Sequence, residues 1–297
     1  MIVNPAAGNG RAKAVGRDAT IRFAESRADF DLVETTAPEE AQLRAEEFLD
    51  READGVIVVV GGDGTLHEIV QAFGRRPGRG TLAFLPAGGG DDAARTIGLP
   101  RDAALAARVA LEGASRHLDL GICNGEFFFN GVGVGFDGAA NAAYRRVPLL
   151  RGFPAYLAAA LATLATYRKP RLKLECSDGA WEGPALLCAV GNGPSCGGGF
   201  RITPDADPAD GLLDACMLGD FGRFEALGLL PKTLSGGHRN HPKASFFRSR
   251  ELVVSADREL VAHFDGEVRK IEGPMRFSVA PGAIRVRVPQ LPNILRP

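Results

Sequence analysis

The sequence predicts an α/β domain with a parallel sheet, followed by a mainly antiparallel β-sandwich domain. Three observations carry that expectation. Up to about His117 short β-branched runs alternate with Ala-rich amphipathic stretches, and from Leu118 onward the chain reads mostly as strands separated by Gly and Pro. The length of 297 residues suits about two domains at ~100–200 residues each. Hydrophobic residues make up 45% of the chain, enough for a core in each half.

In chain order the first half reads "MIV", "AKAVGRDATIRFAES", "FDLVET", "PEEAQLRAEEFLDRE", "GVIVVV", "LHEIVQAF", "TLAFLP" and "DAALAARVALEGA". Strand-like and helix-like periods alternate, which implies a parallel sheet covered by helices. The second half reads "EFFFNGVGVGF", "RLKLECS", "ALLCAVGN", "GLLDACML", "ELVVSA", "ELVAHFDGE", "MRFSVAP" and "AIRVRVP". Short strands between turn signals imply a sandwich. A helical insert over about 139–167, broken near Pro148 and Pro154, interrupts them. The expected domains are 1–117, with the tail 290–297 returning to it, and 118–289.

Several function classes are excluded at this level. Lys and Arg number 35 against 36 Asp and Glu, so no global field would attract nucleic acid. The five cysteines, Cys123, Cys176, Cys188, Cys196 and Cys216, have spacings that fit neither a disulfide framework nor a zinc pair. They read as small buried hydrophobes in a reducing compartment. The N-terminal stretch lacks the pattern of a cleavable export signal. The longest apolar run, "PAYLAAALATLATY" at 154–167, is too short to span a bilayer.

The stretch "VIVVVGGDGTLHEIV" at 56–70 carries the chemistry. A buried strand leads into a turn of Gly61, Gly62 and Gly64 around Asp63, and then into a helix. Without Cβ atoms the backbone can approach a ligand, and the helix start offers N–H groups and a positive dipole end, which together make an anion seat. Asp63 cannot favour a phosphate by its own charge; a Mg²⁺ between carboxylate and phosphate oxygens is its natural partner. Thr65 is placed to cap the helix or to donate to a phosphate oxygen.

Rival nucleotide signatures fail. The chain contains no Gly-Lys dipeptide, which a P-loop requires. "GVGFDG" at 133–138 matches GxGxxG, but no Asp or Glu occurs between Asp137 and Glu175, where a dinucleotide fold wants one. Those glycines read as close strand packing. His238 and His241 lack metal-ligand spacing and read as loop residues.

Five blocks carry a resemblance: "NPAAGNGRA" at 4–12, "GGDGT" at 61–65, "PAGGGDDAAR" at 86–95, "GGGFRITPDADPADGLLD" at 197–214 and "DGE" at 265–267. Their order over the whole chain resembles the diacylglycerol kinase catalytic-domain family. That family includes soluble bacterial lipid kinases and the sphingosine and ceramide kinases, with NAD kinases as distant relatives. The resemblance implies an NAD kinase/diacylglycerol kinase-like fold whose first domain binds ATP between the domains. The residues so implied are Gly61, Gly62, Asp63, Gly64 and Thr65, with Asn4, Gly8 and Gly10 of the first loop, Thr35 or Thr36, and Gly88, Gly89 and Asp92.

By the same resemblance Asp63 and Asp119, in "HLDLG", organise a catalytic Mg²⁺, and Glu267 is the general base. Asp207, Asp210 and Leu212 would hold a structural ion. One block departs: where the family has Pro-x-Gly-Thr-x-Asn-Asp, this chain places Gly89 for the threonine and Asp91 for the asparagine. A hydroxyl donor is lost and a negative charge is added near the expected triphosphate.

For the acceptor, the segment 144–173 brackets an apolar helix between Arg145, Arg146 and Arg151 and, beyond it, Arg168, Lys169, Arg171 and Lys173, with no acid inside. That pattern fits a helix lying on anionic lipid; a core helix with solvated ends is the alternative. The resulting expectation is a cytoplasmic, peripherally membrane-associated enzyme. It would use ATP and Mg²⁺ to phosphorylate a lipid hydroxyl, without nucleic acid and with homodimerisation left open. A soluble-substrate kinase of the NAD-kinase type and a catalytically weak nucleotide- or lipid-binding regulator are the alternatives.

Overall fold

The computed structural model describes residues 1–144 and 153–290. Two compact units emerge, Met1–Asp119 with the chain from Pro281, and Leu120–Ala280. The strands Ala114–Cys123 and Met275–Val288 each contribute to both.

In the first unit a parallel sheet runs in the order Val33–Glu34, Ile2–Val3, Val56–Gly61, Thr81–Pro86. The end of Met275–Val288 joins it in parallel, with Val286 opposite Leu82. The continuous apolar run Ile57, Val58, Val59 and Val60 is buried, as expected of a central parallel strand covered on both faces. Helix Arg11–Glu25 buries Ala12, Val15, Ala19 and Phe23 at helical spacing. Its Gly16 lies so close to the sheet that a Cβ there would sit 3.1 Å from Val3 Cγ1. Phe73, from helix Asp63–Arg75, is fully buried, and each such side chain contributes ~1.5–3 kcal/mol.

The second unit has three layers. A six-stranded antiparallel sheet runs Ala244–Ser249, Leu213–Leu218, Leu187–Gly191, Gly131–Gly135, Leu260–Phe264, Glu267–Ile271. Against one face packs a second sheet, with Glu251–Ala256 between Arg171–Cys176 and the start of Met275–Val288, and Gly179–Pro184 beyond Arg171–Cys176. Helices Phe136–Tyr144, Phe153–Thr166 and Arg223–Ser235 supply buried residues to the core on its other face. Strand period explains the apolar run of Leu187–Gly191: Cys188 and Val190 enter the inter-sheet core, Leu187 and Ala189 the helix-covered one.

Several expectations change. The return to the first unit begins at Pro281, well before residue 290, because "AIRVRVP" joins the Thr81–Pro86 edge rather than the sandwich. The helical insert is two helices, and Arg145, Arg146 and Arg151 lie outside the described residues. Helix Arg223–Ser235 was not anticipated. Of the basic residues after the insert, Lys169 pairs with Asp220 and Arg171 with Glu182, on other elements, and Lys173 with Glu175 on its own strand. Ala160 and Leu164 are buried in the core, and Leu161 is exposed. His238 is a core residue whose Nε2 faces the Ile202 carbonyl at 3.0 Å, with burial lowering its pKa. All five cysteines are free thiols; burial pushes Cys123 and Cys188 up to about 12.

Candidate active site

In the first unit the candidate residues stand at the carboxyl ends of the parallel strands, where open α/β sheets bind ligands. Asn4 follows Ile2–Val3, Thr35 follows Val33–Glu34, Gly62 follows Val56–Gly61, and Ala87 follows Thr81–Pro86. Asn4 Nδ2 donates to Thr65 Oγ1 at 3.0 Å, tying the first loop to the helix that begins at Asp63. Thr65 is buried against the strand, where a Cβ on Gly61 would fall 2.6 Å from its Cβ.

Glycine is required at two further contacts. Gly8 has φ +57°, and a Cβ there would fall 1.9 Å from the Ala87 carbonyl oxygen. A Cβ on Gly88 would fall 2.8 Å from the Gly62 Cα. The loops 4–10, 61–65 and 86–92 therefore meet backbone to backbone around the helix start. No side chain caps that end, which leaves its positive dipole facing them. Of the two threonines, Thr35 is buried and its hydroxyl donates to the Val3 carbonyl at 3.5 Å. Thr36 is exposed and gives both its amide and its hydroxyl to Glu40.

The departing block has a structural explanation. Asp91 is buried, accepts from the Gly88 amide at 3.1 Å and pairs with Arg11, which also donates to the Gly88 carbonyl at 3.0 Å. Burial raises its pKa, with Arg11 the largest opposing influence. The added carboxylate is thus a brace for the loop, its charge met by Arg11. Gly89 is exposed, and a Cβ there would meet nothing.

Asp63 and Asp92 converge on Gly90, where a Cβ would fall 2.6 Å from Asp63 Oδ2 and 3.7 Å from Asp92 Oδ2. A cradle kept free of a side chain between two carboxylates suits a hard divalent cation. Arg95 holds Asp92 Oδ1 at 2.9 Å. Asp119, buried on Ala114–Cys123, accepts the Gly282 amide at 2.7 Å and so pins the strand Met275–Val288.

In the second unit, Glu267 follows the two-residue turn of Asp265 (φ +48°) and Gly266 (φ +91°), opposite Phe264. The Asp265 carboxylate accepts from the amides of Phe129, Asn130 and Gly131 at 2.8, 2.8 and 3.0 Å. The Gly266 amide donates to His263 Nδ1 at 3.2 Å, and His263 Nε2 lies 2.8 Å from Asp137 Oδ2. Both side chains are buried. Sequence reasoning missed this pair; the signal was Asp137 within the glycines of 133–138. A Cβ on Gly133 would sit 2.3 Å from both Asp137 Oδ2 and His263 Nε2, so the close-packing reading of that glycine holds and the pair is its reason.

The loop expected to hold a structural ion is braced by its own hydrogen bonds and by an arginine. Asp207 and Asp210 cap their own turn, accepting from Ala209 at 3.1 Å and Leu212 at 2.9 Å. Arg248 pairs with Asp210 and, at 3.4 Å, with Asp214, whose carboxyl burial pushes up to about 6. An apolar pocket lies between the six-stranded sheet and the helices, lined by Ala160, Leu164, Leu187, Phe200, Leu218 and Leu229, with Asp137 and Cys196 also on its wall.

Residues 1–123 match the diacylglycerol kinase catalytic domain family, and residues 130–288 match the YegS C-terminal NAD kinase beta sandwich-like domain. A "Probable lipid kinase YegS-like" protein of Pseudomonas aeruginosa is 37% identical over 81% of this chain and 78% of its own length. A Bacillus subtilis diacylglycerol kinase is 27% identical over 90% of this chain and 88% of its own. A solved diacylglycerol kinase structure from Bacillus anthracis shares the fold with a TM-score of 0.77 at 23% identity, covering 99% of this chain and 97% of that one.

Proposed function

The chain belongs to the diacylglycerol kinase family, and we propose that it transfers the γ-phosphoryl group of ATP, with Mg²⁺, to the hydroxyl of a lipid. The observation that carries the acceptor class is the pocket in the second unit. Its walls are almost wholly aliphatic and aromatic, with Asp137 as its one carboxylate. Such a lining suits an acyl or sphingoid chain and offers little to a nucleotide ribose.

The chemistry is chiefly positioning and charge neutralisation. The glycine turn 61–65 seats phosphate at the helix start, with Asn4 and Thr65 bracing the adjoining loop. Asp63 and Asp92 flank the cradle that would take Mg²⁺, which when bound neutralises phosphate charge. Glu267, set at a strand start by its pinned turn, takes the proton from the acceptor hydroxyl.

The test is transfer of radiolabelled phosphate from ATP to diacylglycerol, sphingoid, glycerophospholipid and NAD acceptors. Lipid labelling that falls about 10²–10⁴-fold in Glu267→Gln, with the KM for ATP little changed, is expected. Labelling of NAD alone would overturn the lipid acceptor, and full turnover of Glu267→Gln would remove the base.

A further inference from the structure

Three groups outside the described chemistry gather beside the Glu267 turn. The ligand atoms of Asp137, Cys196 and His263 lie within 4.8 Å of one another, a spacing that a transition metal could use. The backbone decides otherwise. The Gly266 amide points its hydrogen at His263 Nδ1, so that nitrogen is an acceptor and carries no proton. The proton of the neutral ring is then on Nε2, the atom facing Asp137. A metal at Nε2 would displace that proton, whereas a metal-bound histidine ordinarily donates from its other nitrogen to a carbonyl or carboxylate. Here that nitrogen faces a donor.

We infer that His263 is a positioning residue: as the Nε2–H tautomer held by Asp137, it accepts the Gly266 amide and so fixes the turn that aims Glu267. This rests on the reading of Glu267 as the base. The turn is clamped at both of its residues, Asp265 through its carboxylate on the amides of Phe129, Asn130 and Gly131, and Gly266 through the imidazole. Asp137 is set in turn by Asn141 Nδ2 at 3.4 Å from its Oδ1 and by the Cys196 thiol at 3.7 Å from its Oδ2.

The clamp has a sign. A second proton on the ring would place N–H against N–H at Gly266, so acidification opens the turn. The ionisable groups of the surrounding elements are few. Helix Phe136–Tyr144 brings Asp137 and Tyr144, and Cys196 stands beyond Asp137. The strand Gly131–Gly135 brings none, and the hairpin partner brings Glu267, Arg269 and Lys270 after Asp265 of the turn. Of these, Asp137 lies 2.8 Å from the ring's Nε2.

Two variants divide the ring's two roles. His263→Asn keeps an acceptor where Nδ1 stands, while His263→Gln keeps a donor toward Asp137 and withdraws the acceptor from Gly266. Misaiming a catalytic group by about 1 Å costs ~10²-fold, and kcat of His263→Gln is expected to fall by that order with KM for ATP unchanged. His263→Asn is expected to hold kcat within about threefold and, having no ring to take a second proton, to keep kcat on acidification better than the parent. Equal kcat in Gln and parent, or an Asn variant as impaired as Gln, overturns the inference.

Nitrogen-15 spectra of the parent imidazole report independently of activity. A protonated Nε2 and a bare Nδ1 are expected at neutral pH. A proton on Nδ1, or loss of the Nε2 proton on adding Zn²⁺ alone, overturns the inference even if the variants fail to fold. Absence of lipid phosphorylation in the parent, or full turnover of Glu267→Gln, would instead sink the kinase reading and leave the tautomer result standing.

Discussion

The guanidinium of Arg11 stands 3.6 Å from the buried carboxylate of Asp91 and donates at 3.0 Å to the carbonyl of Gly88, stitching the first loop of the sheet to the fourth. Asp91 is 3% exposed, whereas the Arg11 side chain is 52% exposed, so the pair is only half screened from water. Arg11→Ala leaves a buried acid whose main opposing cation is gone. A loss of about 1–3 kcal/mol is expected, the cost of an unsatisfied buried polar group. Asp91→Asn in the same chain removes the stranded charge and should recover part of it. Thermal melts of the two single variants and the double variant read this as a cycle; additive losses would show that the two side chains do not act together.

Gly89 stands where the family carries a threonine, in open space at an exposed loop position. Gly89→Thr should therefore fold normally. If the loop serves nucleotide, the restored hydroxyl adds a hydrogen bond of ~0.5–1.5 kcal/mol, which is about a 2–10-fold fall in KM for ATP. An unchanged KM would mean that this position does not reach the nucleotide.

Arg248 pairs with both Asp210 and Asp214 in the loop where a structural cation was expected. The parent should accordingly gain little melting temperature from Mg²⁺ or Ca²⁺ through this loop. Arg248→Met leaves the two acids facing each other, so that variant should melt lower without divalent ions and recover when they are added, because a ligand of the folded state alone stabilises it. Parent and variant with the same divalent-ion response would remove the exchange of cation for guanidinium.

The parts of the fold that were legible are those where local pattern and tertiary role agree. The apolar run 56–60, buried from Ile57 to Val60, reads as a central strand, and the blocks at 4–12, 61–65 and 86–95 fall at strand ends because glycine turns announce themselves in sequence. What was illegible depended on distance. Asp137 and His263 are 126 residues apart, a separation that no local pattern spans. The strand Met275–Val288 pairs antiparallel at its start and parallel at its end, a distinction its own alternation does not encode. Helix Arg223–Ser235 hid behind Pro231 and behind apolar residues on its solvent side, which blur the helical period.

That solvent side leads to the last expectation. Phe224 is 91% exposed, and Leu227 and Leu234 on the same helix and Leu161 on Phe153–Thr166 are exposed as well. The inward faces of the same two helices line the apolar pocket through Ala160, Leu164, Ala226 and Leu229. Exposed side chains near that pocket, with Arg223 and Lys232 also exposed on the same helix, fit insertion into an anionic bilayer better than they fit water. Lys169, Arg171 and Lys173 of the surface read from sequence are paired with acids, so this helix face is the alternative to test against it. Phe224→Asp, together with Leu227→Asp, should weaken sedimentation with phosphatidylglycerol vesicles about tenfold or more. Neutralising Lys169 and Arg171 should change it little. Binding should also fall as salt rises, since surface attraction is screened over ~10 Å at 0.1 M. Turnover on a short-chain lipid presented in detergent should survive both aspartates, because the pocket's lining residues are untouched. Vesicle binding that ignores Phe224 and Leu227 but vanishes with Lys169 and Arg171 would return the membrane surface to the segment the sequence had suggested.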